Sequence, residues 1–208
     1  LLYNNNRWRQ MILNYWFVYK KDGDIKMKFD LHCHTQEGSI DGKIPISEYM
    51  KTLQEKGFDG MLVTDHNSYN GFRKYRDHCK DIIKDFVVLK GIEYDTIDAG
   101  HILIIMPENV KLKLLECRGL PVRLLQDIVH LHGGILGPAH PCGERHLSIT
   151  QTRVYKKHPE IMKKFDFLVA PPEDVDAPAF ASVPLYEDDE PMLMVYEGHP
   201  FAERTSVD

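Results

Sequence analysis

The sequence lacks the features that mark several large protein classes. No stretch approaches the roughly 18 consecutive apolar residues that a membrane-crossing helix needs, so no membrane span is expected. Cysteine is scarce: Cys33, Cys79, Cys117 and Cys142 lie far apart and form no Cys-x-x-Cys pair. That excludes a disulfide framework or zinc knuckle and fits a reducing, cytoplasmic setting. No Asn-x-Ser/Thr acceptor occurs, so nothing speaks for secretion. A basic excess is also missing. Lys+Arg 26 against Asp+Glu 31 gives a formal charge of −5, so nucleic acid is not an expected partner. Hydrophobic residues at 43% and charged residues at 27% describe an ordinary globular chain rather than a disordered, collagen-like or coiled-coil one. Its 208 residues suffice for one domain with a substantial core.

The two ends differ from the middle. Residues 1–26 carry Asn4-Asn5-Asn6, Arg7 and Arg9, then an apolar stretch from Met11 to Tyr19 that Asn14 interrupts. No small-residue cleavage site follows, so a signal peptide is not expected. This segment reads as an extension outside the core, open to a membrane surface or a partner, and Met27 suits the start of the ordered domain. Residues 171–208 hold ten acidic residues, one Arg and no Lys, and six of the twelve prolines. Their net charge of −9 leaves +4 for the other 170 residues. An acidic, poorly ordered tail is expected there, with a strand-like pattern only at Met192–Tyr196.

Between 27 and 170 the pattern is regular. Short apolar runs at Lys28–Cys33, Phe58–Thr64, Phe86–Lys90, His101–Met106, Ile135–Ala139 and Phe165–Val169 read as strands. Helical spacing covers Pro45–Lys56, where Ile46, Tyr49, Met50 and Leu53 recur at i, i+3, i+4 and i+7. Pro121–His132, with Val122, Leu125, Ile128 and Val129, repeats that spacing. Helices are also expected at Tyr69–Lys84 and Pro159–Lys164. Strands alternating with helices predict an α/β fold with a parallel sheet covered on both faces.

Eleven histidines occur, and their placement is informative. His32 and His34 close the first strand, Thr64-Asp65-His66 follows the second, Glu93 follows the third, and His140 follows the strand at Ile135–Ala139. In α/β folds chemistry gathers at the carboxyl ends of strands. Residues i and i+2 of a strand share a face, roughly 6.5 Å apart, so His32 and His34 can converge on one cation while Cys33 packs the other way. Histidines mixed with carboxylates suit Zn, Mn or Fe. A carboxylate such as Glu93 can bridge two ions, the arrangement that clamps the attacking and leaving oxygens at phosphorus.

The residues Asp30-Leu31-His32-Cys33-His34-Thr35, Ser39-Ile40-Asp41-Gly42, Thr64-Asp65-His66-Asn67, Gly91-Ile92-Glu93, Gly100-His101 and Ala139-His140-Pro141 resemble, in order, the motifs of the polymerase and histidinol phosphatase (PHP) family. The resemblance runs from Met27 to about Val169. It implies a distorted (β/α)7-type PHP barrel and hydrolysis of a phosphoester, a small phosphomonoester or a nucleotide, by a metal-activated water. Carried across by match, His32, His34 and Glu93 hold one ion. Glu93 bridges to a second held by His101 and His140, and Asp41 and His66 begin a third site. Asp65 is implied as a carboxylate that orients its neighbours. Two divalent ions are expected.

The sequence departs from the family at its last motif. No Asp-x-His follows His140, so the barrel is expected to be incomplete at its C-terminal end and the third site weak. His199 is a candidate substitute ligand. Arg145 has the planar fork of donors that suits a substrate phosphate, or else it decorates a solvated loop. Two other readings stand beside the phosphoesterase: a catalytically impaired metal-binding remnant, and a 3′–5′ exonuclease-type domain.

Overall fold

The computed structural model describes residues 29–141, 147–170, 180–183 and 192–196. The proposed extension at 1–26, Arg145, Cys142, His199 and most of the acidic tail therefore lie outside the described residues. The strands are β1 (Phe29–Cys33), β2 (Gly60–Val63), β3 (Val87–Asp95), β4 (His101–Ile105), β5 (Ile135–Pro138), β6 (Leu168–Ala170), β7 (Phe180–Val183) and β8 (Met192–Tyr196). The α-helices are α1 (Ile46–Glu55), α2 (Asn70–Lys74), α3 (Val122–Leu131) and α4 (Arg153–Lys157).

A five-stranded sheet in the order β1-β2-β3-β4-β5 curves into a half-barrel, and β6-β8-β7 form a separate antiparallel sheet. The expected parallel sheet holds only for β1, β2 and β3. β4 runs antiparallel to both of its neighbours. The reason is loop length. Only residues 96–100 separate β3 from β4, whereas a parallel crossover needs a dozen residues or more. The apolar run His101–Ile105 reads the same in either direction, so its sequence did not reveal the reversal.

Helices cover the outer face. Ile46, Met50 and Leu53 of α1 are buried in a cluster with Cys33, Met61, Val63 and Phe72. Each large apolar side chain so buried contributes about 1.5–3 kcal/mol. Val122, Leu125 and Val129 of α3 join Ile92, Tyr94, Ile102, Ile104 and Leu136 in a second cluster. Asp98, in the β3–β4 loop, accepts a hydrogen bond from Val122 N at 2.9 Å and so caps α3. On the inner face Leu103, Ala139 and Phe167 form a small floor, against which Leu31, Ile105 and Ile135 pack.

The helix expected over Tyr69–Lys84 is broken. After α2 the chain widens into one π turn, Tyr75–Cys79, which keeps Phe72, Tyr75 and Cys79 together on the buried side. Pro159–Lys164 winds as a tighter 3-10 helix, in keeping with its short length. The last barrel segment reaches β5 through Asp166. Its amide donates to Leu136 O, and its carboxylate accepts from Leu136 N, both at 2.9 Å.

Gly100 makes the turn into β4 at φ +72°, and a Cβ there would meet Leu147 O at 1.9 Å. Gly100→Ala is therefore expected to lower unfolding stability by about 1–3 kcal/mol. A shift of the urea midpoint checks this, and an unchanged midpoint contradicts it.

Candidate metal centre

The site sits at one mouth of the half-barrel, and each strand contributes through its end. β1 carries an irregular register between Asp30 and Cys33, three residues against two on β2. Leu31 packs on the inner floor while Cys33 is buried against α1. This bulge breaks strict alternation and aims both His32 and His34 at the mouth. Beyond β2, His66 bridges in parallel to Glu93. Asn67, at φ +48°, ties that corner by donating its amide to Glu93 O and accepting from Asp95 N through Oδ1. Glu93 lies in β3, the central strand. His101 opens β4 and still reaches the mouth because β4 runs backwards. His140 follows β5 with φ +32°, a left-handed conformation costly for a residue with a Cβ, as is common at functional sites.

Glu93 is the hub. Its side chain is 1% exposed. Oε2 lies 2.9 Å from His32 Nε2, 2.9 Å from His34 Nε2 and 3.5 Å from His66 Nε2. Oε1 lies 3.0 Å from His101 Nδ1 and 3.2 Å from His140 Nε2. Asp41 extends the cluster outward: Oδ1 is 3.0 Å from His34 Nδ1, Oδ2 is 3.6 Å from His66 Nε2, and Ser39 Oγ donates to Oδ1 at 2.5 Å. Four overlapping triplets each bring their ligand atoms within 4.8 Å of one another: His32/His34/Glu93, Glu93/His101/His140, His34/Asp41/His66 and His66/Asp95/His101.

Electrostatics follow from this crowding. Burial pushes the Glu93 carboxyl up, yet the imidazoles of His101, His140, His32 and His34 outweigh it and hold the group ionised, well below the usual carboxylate range. Burial would lower His34, but its bonds to Glu93 and Asp41 raise it to about 9. Burial acts to raise Asp41, and its partners Ser39 and His34 overcome this, bringing it to about 2.

Asp65 is fully buried beside this cluster. It accepts from Thr35 N at 2.6 Å, Thr35 Oγ1 at 2.8 Å and Gly71 N at 3.1 Å. It therefore fastens the loop after β1 to the start of α2. Three participants were given no role in the reading of the sequence: Asp95, Ser39, which stood there only as part of a motif, and Ser148, whose Oγ lies 3.4 Å from His140 Nδ1. Asp95 was findable, since it stands two residues beyond Glu93 on the same strand face. Both serines arrive through loops and leave no such periodic trace.

The donor set suits a divalent metal: imidazoles and carboxylates, with no thiol among the described ligands. One buried atom points the same way. His101 Nδ1 has no hydrogen bond, although Glu93 Oε1 is 3.0 Å away. Such an orphaned donor or acceptor is costly unless a further group fills the gap.

The chain belongs to the PHP domain family, whose pattern matches residues 30–166. It is 31% identical over 80 residues to the PolC-type DNA polymerase III of Lacticaseibacillus paracasei, covering 38% of this chain and 5% of that protein. It is 27% identical over 143 residues to the DNA polymerase/3′–5′ exonuclease PolX of Bacillus subtilis, covering 54% of this chain and 25% of that protein. The chain thus spans a minor part of both curated relatives. The fold resembles the crystal structure of a protein from Bifidobacterium adolescentis described as a metal-dependent phosphoesterase. There the TM-score is 0.50 at 14% identity, covering 73% of this chain and 82% of that one.

These relatives correct one expectation. Net charge led to nucleic acid being set aside as a partner, yet both sequence relatives are DNA polymerases. Total charge is a poor guide here because residues 171–208 alone contribute −9, while residues 27–170, which carry the family match, are close to neutral at +1. Among the described residues no helix is long and apolar enough to cross a membrane.

His34 must lose a proton before one of its ring nitrogens can offer a lone pair to a cation, so metal binding releases protons. The affinity of the metal-free protein for Mn is expected to rise with pH up to about 9, the raised value of His34. Calorimetric titrations across that range check it, and a flat profile contradicts it. Glu93→Gln removes the oxygen charge shared by two triplets. Elemental analysis is expected to show two ions lost by this single change.

Proposed function

We propose that the chain is a metal-dependent hydrolase of phosphoester bonds, with nucleic acid as its substrate class. The observation that supports this best is the division of one buried carboxylate between two ligand sets. His32 and His34 meet Glu93 Oε2, while His101 and His140 meet Oε1. His32, His34 and Glu93 would hold one ion, Glu93, His101 and His140 a second, and Asp41 with His66 a weaker third. Zn, Mn or Fe fit this donor set. When bound, such ions supply Lewis acidity, lowering the pKa of water and neutralising charge on a phosphate.

The chain's own residues do the rest. Glu93 fixes the spacing of the two sets from beneath. Asp41 and His140, whose side chains are 59% and 41% exposed, form the open rim through which a phosphate would reach the centre. Asp65 holds the loop after β1 in place, so that His34 and Asp41 keep their approach. Arg145 is proposed as a phosphate contact from the segment after His140. We take residues 27–170 as the catalytic body. A reducing, cytosolic location belongs to the same reading and is supported by the free thiols of Cys33, Cys79 and Cys117.

A 3′–5′ exonuclease is the particular hydrolase that the relatives favour, since one of them carries that activity in its name. The absence of an Asp-x-His after His140 favours a second reading, a metal-binding remnant without turnover. One experiment separates them. Mn-loaded protein is incubated with a single-stranded DNA oligonucleotide and, separately, with an aryl phosphate. Nucleotide release from the 3′ end supports the exonuclease, and release from the aryl phosphate alone supports hydrolysis without nucleic acid as substrate. Bound metal with neither product supports the remnant. His140→Ala is expected to reduce the rate by more than about 100-fold, the upper end of what outer ligand-orienting changes cost.

A further inference from the structure

Asp95 stands outside both ligand sets that meet on Glu93, yet it lies between rings that belong to different sites. Its Oδ1 accepts from His66 Nδ1 at 3.1 Å and is approached by His101 Nε2 at 3.4 Å. In the antiparallel register Asp95 pairs directly with His101. Its backbone is pinned at both groups: the amide donates to Asn67 Oδ1 at 2.9 Å, and the carbonyl accepts from Gly119 N at 2.8 Å. The backbone that carries this side chain is thus fixed by Asn67 and Gly119, independently of the rings it touches.

The two rings meet Asp95 through opposite nitrogens. His66 uses Nδ1, which leaves Nε2 facing Asp41 and Glu93 at 3.6 and 3.5 Å. His101 turns Nε2 toward Asp95 at 3.4 Å, an ion-pair approach and not yet a hydrogen bond, which leaves Nδ1 facing Glu93 Oε1, and this is the buried atom that has no hydrogen bond. An imidazole with one nitrogen protonated toward a carboxylate presents the other as a lone pair, and that is how a second carboxylate orients a metal-binding ring.

We propose that Asp95 is a positioning residue shared by two metal sites. It sets His66 as the Nδ1–H tautomer and His101 as the Nε2–H tautomer. His66 then offers Nε2 to the Asp41 site, and His101 offers Nδ1 to the site of Glu93 and His140. One carboxylate thereby couples two sites without binding either ion. This rests on the metal reading above for its ligand sets, while the tautomers themselves are a property of the metal-free protein.

The test uses the full chain labelled with 15N at histidine. Long-range 15N–1H spectra of the metal-free protein, in buffer alkaline enough to keep these rings neutral, are expected to show Nδ1–H for His66 and Nε2–H for His101. The same spectra are then followed through a Zn titration. Asp95→Ala is expected to mix both tautomers and to shift the responses of His66 and His101 to about 10–100-fold higher Zn. His32 and His34 should respond as in the parent. Asp95→Asn keeps an acceptor oxygen and should lose less, and it serves if the alanine variant does not fold.

Opposite or mixed tautomers in the parent overturn the proposal. So does Asp95→Ala losing one whole ion with the remaining affinities unchanged, because Asp95 would then be a ligand itself. A loss of thermal stability with unchanged Zn responses also overturns it, as does a shift at His66 alone. If no ring of the parent responds to Zn, the metal reading fails, and the tautomers still decide what Asp95 does.

Discussion

The structure is organised around a buried negative charge. Removing a carboxylate from water costs several kcal/mol unless opposite charge or strong donors replace the solvent. At Glu93 the replacement is five imidazoles, drawn from every strand of the sheet other than its own. β1 supplies His32 and His34, the turn after β2 supplies His66, β4 supplies His101 and β5 leads to His140. Because β3 is central in the strand order, these groups close on Glu93 from both sides. The curvature of the half-barrel, the bulge in β1 and the left-handed turn at His140 all serve that convergence.

The reversal of β4 has a comparable role. A parallel crossover would have placed the first residue of this strand at the far end of the sheet. The five-residue turn instead returns the chain at once and sets His101 opposite Asp95. The mouth therefore gathers the carboxyl ends of four strands and the amino end of one. Gly100 makes that return possible, and Asp98 in the same turn caps α3. The helical layer and the ligand layer are thus joined through one short hairpin.

Much of this was legible in the residues. His-x-His, Thr-Asp-His and Pro-Ala-His-Pro are local patterns at strand ends, and local patterns survive without tertiary knowledge. The helices α1 and α3 were readable for the same reason, since their apolar stripes recur at helical spacing. What was hidden depended on direction or on distance. An apolar strand carries no mark of which way it runs, so the parallel sheet was overextended. The π turn at Tyr75–Cys79 answers to packing against α1 rather than to its own composition. Ser39 and Ser148 approach the site through loops. Nucleic acid was set aside on total charge, a sum in which the ends of the chain outweigh its body.

The ligands run from His32 to His140, across nearly the whole barrel body, and no single strand or turn supplies a full set. An unfolded chain cannot hold them together, so whatever free energy a cation gains on binding here is added to the cohesion of the native state. Chelation would then loosen the first strand and the last together, because both edges of the sheet are stitched to the centre by the same clasp.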